Sequence, residues 1–298
     1  MVNNKTTIRK DKTEISAEVI AVVMALVFLF LILIPVIHTI AKSISVGSAE
    51  VAGKVFLLPI EPQLTTVKAI LTETEFLRAL TNSIIVTVVG AASSLFVSVL
   101  FAYALSSKYL RGKKFFIILC IICMVFKGGM VPTYMVVKSL GLINTYWALV
   151  FPSCMNIFNM LVIRNYFDGL PDSVIESASI DGASDLKTLT AIVLPMAVPC
   201  IATVGLLFAV SYWNSYLTPS LYITDASKIT LQVLTRDLVN HAEMLVDQLE
   251  RSQDMGGAIS LGTVAAGVTV LGSIPIVLAY PLIQRYMTKG MTVGSVKE

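Results

Sequence analysis

Side chains that could bind a metal ion or act as nucleophiles are scarce in this chain of 298 residues. Cys120 and Cys123 form a CxxC pair, but the pair lies in the apolar run FFIILCIICMVF, with no second pair and no histidine nearby. Buried small apolar residues are therefore the better interpretation. The only histidines are His38 and His241, and the chain has neither an HExxH nor a GxSxG motif. The sequence thus predicts no catalytic residue, no metal site and no cofactor bound by this chain.

The most informative spacing of polar residues lies in Pro171–Pro199, PDSVIESASIDGASDLKTLTAIVLPMAVP. Ser173, followed three residues later by Glu176, forms a capping box, which predicts the start of a short helix. Gly182 supplies the left-handed position that ends such a helix, and Ser184 can cap a second helix leading into the next apolar stretch. The pattern therefore predicts a small helix, a sharp turn and a second helix, and the first helix is suited to a partner's groove.

The composition indicates that lipid surrounds most of the chain. Hydrophobic residues make up 56% of the sequence and charged residues 14%, whereas a soluble domain carries about 25% charged residues. This composition excludes an ordinary soluble globular protein and an intrinsically disordered one. The formal net charge of +3 is small and dispersed, which excludes a nucleic-acid-binding surface. We therefore expect an all-α membrane protein.

Six stretches are long enough to span a bilayer, which requires about 20 mainly apolar residues. They cover residues 19–40, 81–105, 115–137, 148–167, 192–216 and 259–286. The sequence thus predicts one transmembrane domain over residues 1–298, with long connections at 168–191 and 217–258. Proline removes a backbone donor and kinks a helix. The prolines where we expect kinks are Pro132, Pro152, Pro195, Pro199 and Pro275.

The distribution of Lys and Arg predicts the orientation, because positively charged connections stay in the cytoplasm. Lys and Arg concentrate on one side when the N-terminus is placed inside, which makes both termini and connection 168–191 cytoplasmic and connection 217–258 external. The basic N-terminal tail also fits a signal peptide, but the apolar run after it is too long and no convincing AxA site follows. In the second span, small residues recur every four positions and predict close helix packing. They are Gly90, Ser94, Ser98 and Ala102.

The segment Pro171–Pro199 resembles the EAA...G.........I.LP signature of permease subunits from binding-protein-dependent ABC importers, and we call it the EAA segment. The matching residues are Glu176, Ala178, Asp181, Gly182, Ala183, Ile192, Leu194, Pro195 and Pro199. Ser177 stands where the second letter is usually Ala, and Leu189 where an aromatic residue is common. The whole chain resembles the carbohydrate-importing group near the maltose transporter's smaller permease, and most closely its lipo-oligosaccharide or complex-polysaccharide branch.

This resemblance implies the type I permease fold of ABC importers, with six transmembrane helices in a bacterial cell membrane. It implies that the first helix of the EAA segment docks onto an ATPase and couples ATP use to transport. The coupling residues would be Glu176, Ser177, Ala178, Asp181, Gly182, Ala183, Ile192, Leu194 and Pro195. The implied partners are a second homologous permease, two ATPase subunits that bind ATP and Mg²⁺, and an extracellular sugar-binding protein. Because the chain lacks GxxxxGK[ST], the ATPase must be a separate polypeptide.

A sugar path through the membrane needs hydrogen-bonding and aromatic side chains within the spans. Polar groups inside membrane spans usually face the bundle interior, although a helix-to-helix hydrogen bond explains them equally well. The candidates in spans four and five are Asn156, Asn159, Trp213, Asn214 and Tyr216. Asn156 and Asn159 are three residues apart and are expected to share a helix face.

Three further features allow more than one interpretation. Lys127 either lines the cavity, or the third span ends near Phe126 and Lys127 lies at the outer surface, which we favour. Connection 217–258 shows an amphipathic helical pattern around residues 231–249, and it either docks the external binding protein or forms a solvated cap. The C-terminal tail, Lys289–Glu298, either contacts the ATPase pair, as the family tails that it resembles do, or is a loose basic end.

Three other functions are compatible with a chain of this kind. The same importer machinery could carry a non-sugar solute, because the EAA motif indicates coupling to an ATPase and does not indicate which solute is transported. A secondary carrier would continue uptake after ATP depletion. A membrane-embedded enzyme would need a catalytic dyad or a metal-ligand set inside the spans, and the sequence supplies neither.

Overall fold

The computed structural model describes residues 12–240 and 259–294, and in these ranges it is helical without β-strands. The first seven helices are α1 (Lys12–Ser43), α2 (Gly47–Val51), α3 (Thr65–Thr72), α4 (Thr74–Ser106), α5 (Lys113–Val125), α6 (Met130–Ser139) and α7 (Trp147–Val150). The others are α8 (Ile157–Asp168), α9 (Asp172–Ile180), α10 (Asp185–Thr188), α11 (Leu194–Met196), α12 (Val198–Trp213), α13 (Leu217–Tyr222), α14 (Leu231–Asn240) and α15 (Leu261–Gly294). A π-helical turn, Leu189–Val193, joins α10 to α11.

Three unbroken helices are long and apolar enough to cross a membrane. They correspond to the first, second and sixth predicted spans, and the crossing stretches are Glu18–Ser43, Thr74–Ser106 and Leu261–Pro281. Pro275 lies inside α15, which continues past it as one helix.

The third, fourth and fifth predicted spans are bent and not straight. The breaks in the fourth and fifth lie at the predicted kinks near Pro152 and between Pro195 and Pro199, whereas the break in the third comes before Pro132. Each span is a pair of helices that together have the required length and apolar composition. The pairs are Lys113–Val125 with Met130–Ser139, bent by 109°, Trp147–Ser153 with Ile157–Asp168, bent by 54°, and Asp185–Met196 with Val198–Trp213, bent by 85°. Within the described ranges, the chain therefore has three to six candidate spans.

Each break has a local cause. Gly129 precedes α6 with a φ of 86°, a conformation that favours glycine. In the fourth span, the side chain of Asn156 caps the new helix α8, so the break lies directly before Ile157. Ala197 lies between Pro195 and Pro199, and neither proline can donate the backbone hydrogen bond that would continue a straight helix.

The described residues form two compact units, 12–70 with 259–270, and 71–240 with 271–294. In the first unit, Lys42 Nζ lies 2.6 Å from a carboxylate oxygen of Glu50, and the Ser260 hydroxyl donates to the same carboxylate at 2.9 Å. Burial alone would raise the pKa of Glu50, but the hydrogen bonds from Lys42 and Ser260 hold this pKa below its ordinary value. A Cβ atom at Gly262 would collide with the Glu50 carboxylate.

In the second unit, α4 packs against α8 and α12 through its stripe of small residues, as the sequence predicts. Ser94, Ser98 and Ala102 are fully buried. A Cβ atom at Gly90 would come within 2.7 Å of the Tyr212 ring. The Tyr212 hydroxyl lies 2.9 Å from Ser94 Oγ. Small side chains at these positions therefore allow the close approach of α12.

The start of α4 is held by a network of uncharged groups. Asn82 Nδ2 donates to the carbonyls of Ser227 at 3.0 Å and Ile229 at 2.9 Å. The Tyr146 hydroxyl donates to Asn82 Oδ1 at 2.8 Å. Asn82 is only 5% exposed, so the connection after α13 is fastened to α4 by buried hydrogen bonds.

Candidate functional site

The EAA segment begins with α9, and its start corrects the predicted capping box. The helix begins at Asp172, one residue before Ser173, and Pro171 occupies the capping position without a side-chain cap. The fixed φ of proline suits the position that opens a helix. Ser173 instead lies inside the first turn, where its carbonyl accepts a hydrogen bond of 2.7 Å from the Ser177 hydroxyl.

The turn after α9 is built as the sequence predicts. Gly182 has a φ of 73°, and its N–H donates to the Ser179 carbonyl at 3.1 Å. The Ala183 N–H donates to the Ala178 carbonyl at 3.0 Å. These two bonds form a Schellman motif, which satisfies the last carbonyls of the helix. Ser184 then caps the next helix by accepting the Lys187 N–H at 3.4 Å.

The second half of the EAA segment is anchored in the apolar core. Leu189 and Val193, on the π-helical turn, are 3% and 1% exposed, and they belong to a cluster formed with α4, α8 and α12. Ile192 and Leu194 are partly buried, whereas Pro195 is exposed. The second half of the segment is thus joined to the bundle by buried apolar contacts.

The first half of the segment is exposed to solvent. Of the motif residues, Glu176, Ser177, Asp181 and Gly182 are exposed, whereas Ala178 is buried. Two large apolar side chains flank the turn, with Ile180 85% exposed and Leu186 66% exposed. Sequence reasoning missed these two residues, although apolar side chains beside a glycine turn in a polar loop were a visible signal. Exposed apolar groups rimmed by polar ones are typical of protein interaction sites.

A salt bridge connects the EAA segment to the turn between α4 and α5. Lys108 Nζ lies 2.7 Å from Asp172 Oδ2, and both side chains are largely exposed. The hydrogen bond from Lys108 to Asp172 is the main reason why the pKa of Lys108 is raised, and the charge of Glu176 adds to the effect. The amino acid sequence could not have paired these residues, because 63 others separate them.

Charged side chains also hold the end of α8 near the end of α4. The Asp168 carboxylate accepts a hydrogen bond from Arg164 Nη2 through its Oδ2 at 2.5 Å, and its Oδ1 lies 3.7 Å from Lys113 Nζ. Arg164 Nε donates to the Leu105 carbonyl at 3.4 Å. The Lys113 ammonium donates to the Ser106 carbonyl at 3.1 Å. Cations therefore bind the last carbonyls of α4, where the helix dipole favours positive charge.

The predicted pathway residues of span four come together, but not on one helix face. Asn156 lies before α8, and its Oδ1 accepts the backbone N–H of Asn159 at 3.1 Å. Asn156 is exposed and Asn159 is 7% exposed. The shared-face prediction is wrong because the helix begins at Ile157, after a break near Pro152.

The predicted pathway residues of span five lie around the end of α12. Trp213 is the last residue of the helix and is 6% exposed. Asn214 is exposed and Tyr216 is partly buried. The guanidinium carbon of Arg236, on α14, lies 4.7 Å from the centroid of the Tyr216 ring. This cation–π contact was not predicted, because α14 is distant in sequence.

Other predicted features are placed as follows. Helix α5 ends at Val125, and Lys127 is exposed in the break before α6. The predicted helix over 231–249 is present as α14 to Asn240, and the remainder, with His241, lies outside the described residues. Of the C-terminal tail, α15 extends to Gly294. In residues 12–240 and 259–294, no group of His, Cys, Asp and Glu side chains could hold a metal ion.

Comparison with known proteins gives consistent matches over most of the chain. Residues 76–293 match the model of the family described as binding-protein-dependent transport system inner membrane component. The polygalacturonan/rhamnogalacturonan transport system permease protein YtcP of Bacillus subtilis is 40% identical over 91% of this chain and 95% of its own length. The trehalose/maltose transport system permease protein MalG of Thermococcus litoralis is 31% identical over 73% of this chain and 74% of its own.

A solved structure has the same fold. It is a chain of a bacterial ABC transporter involved in the import of the acidic polysaccharide alginate, with a TM-score of 0.85 and 31% identity. The match covers 93% of this chain and 98% of that chain. The fold class and the family resemblance that the sequence predicts are thereby confirmed.

Proposed function

This chain belongs to the binding-protein-dependent transport system inner membrane components, and from that premise we propose that it couples ATP hydrolysis in a partner subunit to the import of oligosaccharides. It is a membrane transport subunit and not an enzyme. ATP and Mg²⁺ would act on two separate ATPase subunits. A second homologous permease and an external sugar-binding protein would complete the importer.

The exposed turn of the EAA segment is the observation that carries the proposal. Ile180 and Leu186 present apolar side chains on either side of Gly182, and Glu176 lies on the same exposed helix. Such a turn has the size and chemistry to fit a groove on a soluble partner. Because Leu189 and Val193 are buried among α4, α8 and α12, a partner that moves the turn would also move the bundle.

Each motif residue has a role in this proposal. Glu176 and Ser177 would contact the ATPase, whereas the buried Ala178 would pack the inner side of α9. Asp181, Gly182 and Ala183 fix the turn that presents the helix. The residues that would transmit the motion into the bundle are Ile192, Leu194 and Pro195. The bend of 85° after Met196 gives the bundle a hinge.

The cargo we propose is an oligosaccharide cut from an acidic polysaccharide. YtcP is named for polygalacturonan and rhamnogalacturonan transport, and the alginate importer carries an acidic polysaccharide. MalG is named for the transport of trehalose and maltose, which are neutral sugars. A neutral oligosaccharide is therefore the necessary comparison. Of the predicted path residues, Asn156, Asn214 and Tyr216 keep exposed or partly exposed side chains, whereas Trp213 and Asn159 would act by packing.

The test is uptake into proteoliposomes that hold the complete importer, with binding protein outside and ATP inside. We expect a labelled trigalacturonate to accumulate only with ATP, and to stop accumulating when the ATPase carries a substitution that abolishes hydrolysis. Uptake that survives without hydrolysis would indicate a secondary carrier. Import of a non-sugar solute in place of both acidic and neutral oligosaccharides would assign the same machinery to another cargo.

A further inference from the structure

The contact between Arg236 and Tyr216 places a cation beside the end of a membrane span. Tyr216 follows α12 by two residues, and α12 is the second half of the bent pair that begins at Asp185 in the EAA segment. A span that begins on the ATPase side ends on the opposite side. In the predicted topology this bent pair crosses the membrane, which places Arg236 and Tyr216 on the outer side, from which the cargo arrives.

Arg236 is held in place by an aromatic ring and not by an acid. Its guanidinium carbon lies 4.7 Å from the centroid of the Tyr216 ring, within the range of a cation–π contact, about 6 Å. Within the described part of the chain, no carboxylate bonds to the guanidinium. Asp237 is its neighbour on α14, but consecutive helix residues point in different directions. Within residues 12–240 and 259–294, the guanidinium therefore has the Tyr216 ring and no carboxylate as its partner.

The ring itself sits on a fixed backbone. The Tyr216 carbonyl accepts the Ser220 N–H at 3.1 Å and the Ser220 hydroxyl at 2.9 Å, which anchors it to the first turn of α13. In a cation–π contact the guanidinium turns one face to the ring, so the N–H groups at the edge of the guanidinium stay available. Arg236 is exposed, and those edges can reach a ligand.

We propose that Arg236 and Tyr216 form a recognition site for the carboxylate of a uronate residue, an inference that rests on the proposed import of acidic oligosaccharides. A planar guanidinium binds a carboxylate with two parallel hydrogen bonds. The exposed amide of Asn214, two residues before Tyr216, is placed to bond a sugar hydroxyl. The site selects acidic glycans as they leave the binding protein and enter the membrane path.

Lys228, another cation on the same predicted side, does not compete for the same carboxylate. Lys228 lies 3.2 Å from Asp225, and its ammonium also donates to the Asn144 carbonyl at 3.0 Å. This lysine is therefore already paired with a carboxylate, whereas Arg236 has no such pair among the residues that the structure describes. The difference favours Arg236 as the cation that an arriving anion meets.

The test measures equilibrium binding of radiolabelled trigalacturonate, and of its methyl ester, to the purified complete transporter without its binding protein. The ester keeps the sugar rings and loses the charge. We expect Arg236→Gln to weaken binding of the acid about tenfold and of the ester less than twofold. Arg236→Lys, which keeps the charge but not the forked geometry, should weaken acid binding about threefold. Tyr216→Leu should fall between wild type and Arg236→Gln.

Arg78→Gln is the matched control, because Arg78 is also exposed and lies at the start of α4 on the same predicted side. It should leave both affinities unchanged. Equal losses for acid and ester in Arg236→Gln would show that the pair only fastens α14, and would overturn the site. No change for either ligand would do the same. Wild-type transporter that imports neither trigalacturonate nor a neutral trisaccharide would contradict the proposed oligosaccharide import itself. Import of the neutral sugar alone would leave oligosaccharide import standing and contradict the acidic cargo together with the uronate site.

Discussion

The two ends of α4 are held by different chemistry. At its start, buried amide and hydroxyl groups of Asn82 and Tyr146 bond to backbone carbonyls and to each other. At its end, charged side chains such as Arg164 and Lys113 bind the last carbonyls, and an exposed salt bridge reaches Asp172. Buried neutral networks are rigid because an unpaired member is costly. Exposed ion pairs are weak alone and can be rearranged when a partner binds.

This difference matches the tasks that we propose for the two ends. The start of α4 holds the connection that precedes α14, where a fixed geometry is useful for recognising cargo. The end of α4 meets the EAA segment, which has to move with a partner. The ion pair between Lys108 and Asp172 keeps that segment in position without locking it.

The largest expected effect comes from removing the network of uncharged hydrogen-bonding groups at the start of α4. Asn82→Leu removes three hydrogen bonds and leaves the carbonyls of Ser227 and Ile229 without these partners at a half-buried site. We expect the free energy of unfolding to fall by about 2–4 kcal/mol, as measured by thermal unfolding of the purified protein. Asn214→Leu, at an exposed asparagine, should change it by less than about 0.5 kcal/mol. Similar values for both variants would show that the network contributes no stability.

The next effect separates backbone strain from function. Gly182 and Gly141 both have positive φ values, 73° and 68°, and a Cβ atom at either would meet no neighbour within 4 Å. Valine at either position should therefore cost a similar amount of stability, about 1–2 kcal/mol. ATP-driven uptake should fall about tenfold in Gly182→Val, because the turn presents α9, and less than twofold in Gly141→Val. Equal losses of uptake would indicate that strain alone is responsible.

A third prediction concerns Glu50, whose largely buried carboxylate forms a salt bridge with Lys42. Its pKa is lowered on folding, so its stabilising contribution is present above the ordinary value of 4.5 and is lost as the pH falls through the lower folded pKa. Glu50→Gln should reduce the free energy of unfolding by about 1–2 kcal/mol at pH 7. The difference from wild type should shrink as the pH falls below 4.5 and disappear once the pH is below the lowered pKa of Glu50. A difference that stays constant with pH would assign the effect to packing near Gly262.

The smallest effect concerns the exposed ion pair. Lys108→Glu or Asp172→Lys should lower the number of sugars imported per ATP hydrolysed about threefold, because like charges displace the EAA segment. The double variant Lys108→Glu/Asp172→Lys restores the attraction and should recover most of this ratio. Lys114→Glu, at an exposed lysine of α5, is the control. A double variant no better than the single ones would show that the pair does not position the segment.

Local signals made part of this architecture predictable. Gly182 and Ser184 act within a few residues of their own positions, so the helix, turn and second helix follow from their spacing. The stripe from Gly90 to Ala102 is equally local, because helix periodicity decides which residues share a face.

Tertiary and fine local effects account for what the sequence did not predict. Apolar content reports the length of a span and not its continuity, so the break at Gly129 was missed, whereas Pro195 and Pro199 did predict the bend at Ala197. The capping box failed because Pro171 opens the helix one residue earlier than Ser173. The Arg236–Tyr216 contact joins residues of different helices, and no periodic pattern reports it.

The central claim is that the turn at Gly182 faces the cytoplasm and contacts an ATPase. The most direct test places a photoactivatable phenylalanine at Ile180, which is 85% exposed, in the assembled importer within intact cells. Val51, 76% exposed on α2, is the control position, on the predicted outer side. We expect illumination to join position 180, and not position 51, to the ATPase subunit. A crosslink from position 180 to the external binding protein, or the absence of any ATPase adduct from it, would contradict the account.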